Sequence, residues 1–149
     1  MSARVKIDLL SQAVKQMVRK VMPNMESVDN QSFSDSKITF LDDSGALRLT
    51  VASENLYCIR SDDNYVDILY SDNKGLLRKY LLRSRLKSVE ETCAGTSLVR
   101  CHRQFIVNLL KVKILRCSDI GYELELDNKE LPPIPVSKTY AKSIAEKFR

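Results

Sequence analysis

The densest chemistry in the chain lies in Arg100-Cys101-His102-Arg103-Gln104-Phe105-Ile106-Val107-Asn108. Cations, an imidazole and amides come first, then three apolar residues, then an asparagine. Such a segment can present hydrogen-bonding groups outward while Phe105, Ile106 and Val107 anchor it to a core. His102 is the single histidine of the chain. Its neighbour Cys101 is the nearest nucleophile, but successive residues of a strand point to opposite faces, so the two are expected to diverge. The four glycines are scattered and form no phosphate loop, and no pair of acids stands apart from ordinary turns. The cysteines at 58, 93, 101 and 117 contain no CxxC pair, so a zinc site is not expected. Cys58, Cys101 and Cys117 lie in apolar or strand-like runs and read as buried thiols of a reducing cytoplasm. The chemistry on offer is binding rather than catalysis, with no enzyme activity, cofactor, metal or small-molecule substrate expected.

Two further segments share this design. Arg60-Ser61-Asp62-Asp63-Asn64 precedes Val66 and Ile68, and Ser137 to Lys142 precedes Ile144. Polar loops on a rigid β scaffold are where recognition groups usually sit. Arg and Asn suit guanine and adenine edges, and Lys and further Arg suit phosphates. Each segment alone is equally an ordinary solvated loop, so composition and spacing reach only a soluble β domain able to bind nucleic acid.

The elements that would hold these segments follow a change of period. Leu10, Val14, Met17, Val18 and Val21 recur at helical spacing and predict an amphipathic helix that Pro23 helps to end. Its apolar face would pack on the domain or on a second copy, giving a homodimer, or lie on a membrane surface or a partner. Residues 23–36 read as a polar linker. From Lys37 the period is two. Hairpins are expected around Asp42–Gly45, Ser71–Gly75 and Ser118–Gly121, with a strand at Leu56–Ile59 and a polar corner from Arg60 to Asn64. Leu82, Leu86 and Val89 predict a short helix, with Arg83 and Lys87 one turn apart and Gly95 as breaker. Pro132, Pro133 and Pro135 exclude a regular central strand. Ser137 is the expected N-cap of a last helix whose inner stripe is Tyr140, Ile144 and Phe148. Seven or eight short strands and two small helices make a mainly β domain without an internal repeat. Residues 1–36 are expected as an appendage and residues 37–149 as the domain.

The net charge of +5 permits a polyanionic partner. Residues 1–22 carry five bases and one acid (+4), residues 23–36 three acids (−3), and residues 37–149 nineteen bases and fifteen acids (+4). A nucleic-acid site on the main domain must therefore be local. No apolar run approaches the roughly 18 residues of a membrane span, and Lys15, Arg19 and Lys20 break any signal-peptide core, which points to the cytoplasm.

The run Leu98-Val99-Arg100-Cys101-His102-Arg103-Gln104-Phe105-Ile106-Val107-Asn108 resembles the central motif of the LytTR DNA-binding family. Three other segments match in order: Asn55 to Val66 with its "DNYV" corner, Leu81 to Leu86, and Ile134-Pro135-Val136-Ser137-Lys138-Thr139-Tyr140. The resemblance covers about residues 37–149. Gln104 stands where serine is commoner, and Arg60 replaces a usual glutamate. The resemblance implies about ten short strands in an elongated stack of small, mostly antiparallel sheets. It implies a bacterial transcription regulator of two-component type that binds double-stranded DNA through loops placed in successive major grooves. By motif position, Asn64, Arg103 and Lys138 are the base-reading candidates, with Tyr65 beside Asn64 in the contact set. His102 would contact phosphate or brace the loop, and Asn108 would tie down the loop backbone. Arg78, Lys79 and Lys142 are charge-based candidates for phosphate. Family proteins usually join the domain to a receiver or a membrane module, so the chain is read as a stand-alone regulator or as an output part controlled by a sensor kinase or membrane module. The rivals are a protein-interaction module using the same loops, and an RNA-binding domain. The latter would need exposed aromatics, whereas Tyr65, Tyr70 and Tyr80 are expected to be partly buried.

Overall fold

The structure is a computed structural model that describes residues 37–119 and 121–149. The amphipathic helix expected near the N-terminus lies outside the described residues. Lys37 to Arg149 form one compact unit.

Ten strands and two helices make up this unit, together with two single 3₁₀ turns at Ser53–Asn55 and Leu109–Lys111. The strands are β1 (Lys37–Leu41), β2 (Leu47–Ala52), β3 (Leu56–Asp62), β4 (Tyr65–Ser71), β5 (Leu77–Arg83), β6 (Leu98–His102), β7 (Phe105–Asn108), β8 (Val112–Ser118), β9 (Gly121–Leu126) and β10 (Ile134–Val136). The helices are α1 (Leu86–Thr92) and α2 (Lys138–Glu146). Three sheets result: β1-β2, β5-β4-β3-β7-β6 and β10-β9-β8, with every described pairing antiparallel. Pro135 sits on the edge strand β10, where a missing N–H costs no ladder bond.

The five-stranded sheet is the middle layer. Ile59, Val66, Ile68, Leu82 and Ile106 face β1, β2 and α1, and pack with Ile38, Phe40, Leu86, Val89 and Cys93. The adjoining residues Cys58 and Val107 point the other way, toward Leu124, Leu126, Val136 and Ile144 of the three-stranded sheet and α2. Both faces of the sheet are thus apolar along β3 and β7, which is why those strands read as continuous apolar runs rather than alternating ones. Leu69, Leu77, Tyr70 and Tyr80 fill the margins of the two cores.

Several expectations change. The strand begun at Leu56 runs through Arg60 and Ser61 to Asp62, so the polar corner shrinks to Asp63-Asn64. Leu82 belongs to β5, and the helix starts only at Leu86. Arg83 and Lys87 are therefore not on one helix. Ser137 occupies the N-cap position of α2, but its side chain makes no capping hydrogen bond. Ile144 is buried and Tyr140 half-buried as expected, whereas Phe148 lies exposed beyond the helix end. Cys58, Cys93 and Cys101 are buried, whereas Cys117 is exposed, beyond the half-buried Leu115 of β8.

The β1–β2 and β4–β5 turns are one design used twice. Asp42, Gly45 and Arg48 have the spacing of Asp72, Gly75 and Arg78. Asp42 Oδ1 accepts from the backbone of Ser44 (2.9 Å) and Ala46 (3.0 Å), and its Oδ2 from Arg48 Nε (2.8 Å). Asp72 does the same for Lys74 (2.9 Å), Leu76 (3.0 Å) and Arg78 Nε (2.7 Å). Gly45 and Gly75 take φ of 88° and 80°, which a side chain would disfavour.

Candidate nucleic-acid interface

The opening stretch folds as a hairpin, with β6 and β7 joined by Arg103-Gln104. Its base is Asn108, fully buried with its amide saturated. Nδ2 donates to Ser53 O (2.9 Å) and Leu56 O (2.7 Å), and Oδ1 accepts from Ser97 Oγ (2.7 Å) and Leu110 N (3.0 Å). A buried amide demands such satisfaction. Asn108 therefore fixes the hairpin to β3, as the tie-down reading held.

The turn itself carries exposed Arg103 and Gln104. His102 Nδ1 accepts the Gln104 N–H at 3.1 Å, leaving Nε2 to carry the proton of the neutral ring. The ring meets Phe105 edge-on at 5.7 Å. Burial first, then the positive Arg103 and Arg100, hold the imidazole below its ordinary pKa. The neutral ring thus braces the turn, with one nitrogen still turned to other use.

Backbone hydrogen bonds set three chain-distant segments side by side. Ser61 N donates to Gln104 O at 2.9 Å, joining the Asp63-Asn64 turn to the Arg103-Gln104 turn. Ser137 N donates to Cys101 O at 3.0 Å, joining the start of α2 to the same hairpin. Asn64, Arg103 and Lys138 are all exposed along this row. The turns between β3 and β4 and between β7 and β6 lie two strand spacings apart, about 10 Å. Lys142 is exposed one helical turn beyond Lys138, on the same side of α2.

Tyr65 is half-buried at the end of β4 and paired with Arg83 of β5. The guanidinium lies 5.5 Å from the ring centroid and 3.5 Å from the hydroxyl, and pairs with Asp43 at 3.0 Å. Tyr70 and Tyr80 are half-buried too. Arg60 bonds the buried carboxylate of Asp67 at 2.6 Å, so its charge is spent inside the scaffold rather than added to the loop.

The structure separates the remaining candidates. Arg78 and Lys79 pair with Tyr70 and Leu69, toward the far end of β5, about 17 Å along the strand from Arg83 for Arg78. They project to opposite faces, and Arg78 is held by Asp72. Neither joins the row. Among the described residues Arg103, Lys138 and Lys142 have no ion-pair partner, whereas Arg60, Arg83 and Arg100 each have one. An exposed unpaired cation can grip phosphate or a guanine edge, whereas a paired one first has to give up its acid. Arg100 and Ser61 lie in segments that composition singles out, but their contacts come only from the fold: the Arg100 side chain folds back over the turn it precedes, Ser61 N donates to Gln104 O, and Arg83 stands on β5 against Tyr65.

A scaffold of small sheets that offers exposed cations and an amide from adjoining turns suits a polyanionic partner. A profile of the LytTr DNA-binding domain matches residues 48–149, and the chain belongs to that family. It is 34% identical over 88 residues to an uncharacterized response regulatory protein of Vibrio cholerae, covering 56% of this chain and 35% of the relative. It is 43% identical over 51 residues to the transcriptional regulatory protein BtsR of Escherichia coli, covering 34% of this chain and 21% of that protein. The chain thus spans about a third and a fifth of the lengths of these relatives. The solved LytTr DNA-binding domain of a response regulator from Bacillus cereus superposes with a TM-score of 0.54 at 21% identity, covering 76% of this chain and 97% of that one, which establishes the fold. No helix among the described residues is long and apolar enough to cross a membrane.

Proposed function

We propose that residues 37–149 bind double-stranded DNA sequence-specifically as the output of a transcription regulator. In this reading turns, not a recognition helix, enter the major groove, with the Asn64 and Arg103 turns, about 10 Å apart, sharing one groove. Asn64, Arg103 and Lys138 read base edges, while Lys142 and the free nitrogen of His102 meet phosphates. The observation that carries the proposal is the row itself: three segments distant in sequence, joined through Ser61–Gln104 and Ser137–Cys101, with unpaired Arg103 and Lys138 along it. Both helices turn apolar residues into a core, Leu86 and Val89 from α1 and Ile144 from α2. The regulatory names of the relatives support the output role. Arg78 and Lys79, away from the row, fall out of the contact set.

Arg103 can donate two parallel hydrogen bonds to guanine. Its replacement by alanine is expected to cost about 1–3 kcal/mol on a selected duplex and much less on a scrambled one. Lys142→Ala should weaken both duplexes alike and flatten the salt slope by about one unit. Binding titrations at several salt concentrations check both. Equal losses for Arg103→Ala on the two duplexes would reduce Arg103 to a phosphate clamp.

A further inference from the structure

We propose that Arg100 is a positioning residue that sets the direction in which Arg103 leaves the surface. The inference rests on the base-reading role given to Arg103 above. All three guanidinium nitrogens of Arg100 are engaged: Nε donates to His102 O at 2.9 Å, Nη2 to Arg103 O at 2.8 Å, and Nη1 pairs with Glu90 Oε1 at 2.7 Å. The two carbonyls belong to the peptide planes on either side of the Arg103 Cα. The second plane is gripped twice, since its N–H, that of Gln104, donates to His102 Nδ1 at 3.1 Å. Both backbone torsions of Arg103 are therefore bounded by planes that side chains hold, and only its own side-chain torsions remain free.

A bulge makes this geometry. Arg100 pairs with Ile106 and His102 with Phe105, so Cys101 is an extra residue on β6. It turns its thiol into the core and re-aims the strand on either side. Glu90, at the far end of the guanidinium, rides on α1, which Leu86 and Val89 fix to the core. The brace thus runs from a buried anchor to the tip of the turn. Lysine cannot replace it, because one ammonium has no planar fork to span two carbonyls and a carboxylate. With its side chain 16% exposed and each nitrogen occupied, Arg100 is not arranged to hold phosphate. Without Arg100 the turn carbonyls and Glu90, 44% exposed, can turn to water, so the fold should survive while the aim of Arg103 is lost.

The test uses the full chain and a duplex enriched from a random pool by the wild-type protein. Affinity for that duplex and for a scrambled one is measured across salt for the wild type, Arg100→Lys, Arg100→Ala and Glu90→Gln, with the Gln104 amide followed by NMR without DNA. Arg100→Lys is expected to lower the ratio of selected to scrambled affinity roughly tenfold, to keep the wild-type salt slope, and to shift the Gln104 amide. Glu90→Gln should move both readouts the same way by less. If Arg100→Ala proves unfolded in melting curves, the lysine and glutamine variants carry the test. An unchanged ratio in Arg100→Lys overturns the inference. So does a loss on both duplexes in Arg100→Ala that lysine restores, since that marks a phosphate contact. If no duplex is enriched, the base-reading proposal fails and this inference with it. If one is enriched and the Arg100→Lys ratio holds, the inference alone fails.

Discussion

Two tight turns side by side on the same sheet are held in different ways. The β3–β4 turn is made by backbone shape: Asp63 takes a φ of 62°, the left-handed conformation that primed hairpin turns require. The β6–β7 turn has negative φ at Arg103 and Gln104 and is instead tied by side chains, with Arg100 across its carbonyls, His102 on its amide and Asn108 beneath. A turn made by backbone shape depends on the residue at its bend, and one tied by side chains depends on residues elsewhere in the fold. The second arrangement leaves the turn residues free to be chosen for what they touch.

The largest test of this contrast is Asn108→Ala. It strands Ser53 O, Leu56 O, Ser97 Oγ and Leu110 N, all bonded to the amide now. The expected loss of stability is about 3 kcal/mol in denaturant melts. A loss below about 1 kcal/mol would mean that the sheet ladder alone holds the hairpin.

A paired substitution sharpens the contrast at smaller scale. Asp63→Val places a β-branched residue in the left-handed region and should cost about 1–2 kcal/mol. Gln104→Val, at negative φ, should cost under about 0.5 kcal/mol. Equal costs would erase the distinction between the two turns.

The smallest effect concerns protons. His102 is held below its ordinary pKa by burial and by Arg103 and Arg100, so the unfolded chain takes up the proton first as pH falls. Stability should decline as pH drops below the ordinary histidine range, and level off once folded His102 is protonated. Protonation also puts a hydrogen on Nδ1, which then cannot accept from Gln104. With one histidine in the chain, a single NMR titration reports the midpoint. A value at or above the ordinary one would show that these neighbours do not hold the ring neutral.

Much of the scaffold could be read from residue order, because the Asp-x-x-Gly turns and the period of two act locally. The tie-down role of Asn108 follows from the family resemblance, by motif position, and only the fold supplies its partners at Ser53, Leu56, Ser97 and Leu110. The start of α1 is ambiguous in the sequence for a physical reason: Leu82 and Leu86 are four apart, which suits a helix as well as a strand that ends just before one. Lys79, Leu81 and Arg83 alternate with the buried Leu82 and mark the strand. The repeat of Asp42, Gly45 and Arg48 in Asp72, Gly75 and Arg78 covers one turn, not a domain, and so leaves no period in the chain. The brace from Arg100 could not be read at all. It depends on a bulge at Cys101, and nothing in the order of residues says that one position will go unpaired.

The bonds Ser61–Gln104 and Ser137–Cys101 make the row of turns act as a ruler. Teeth fixed about 10 Å apart correspond to about three base-pair steps of 3.4 Å. If these teeth read bases, a target site can exchange one base pair for another at the cost of a single contact. Inserting or deleting a base pair between contacted positions misaligns every tooth beyond it. Binding sites of such a protein would drift in letters while keeping their spacing.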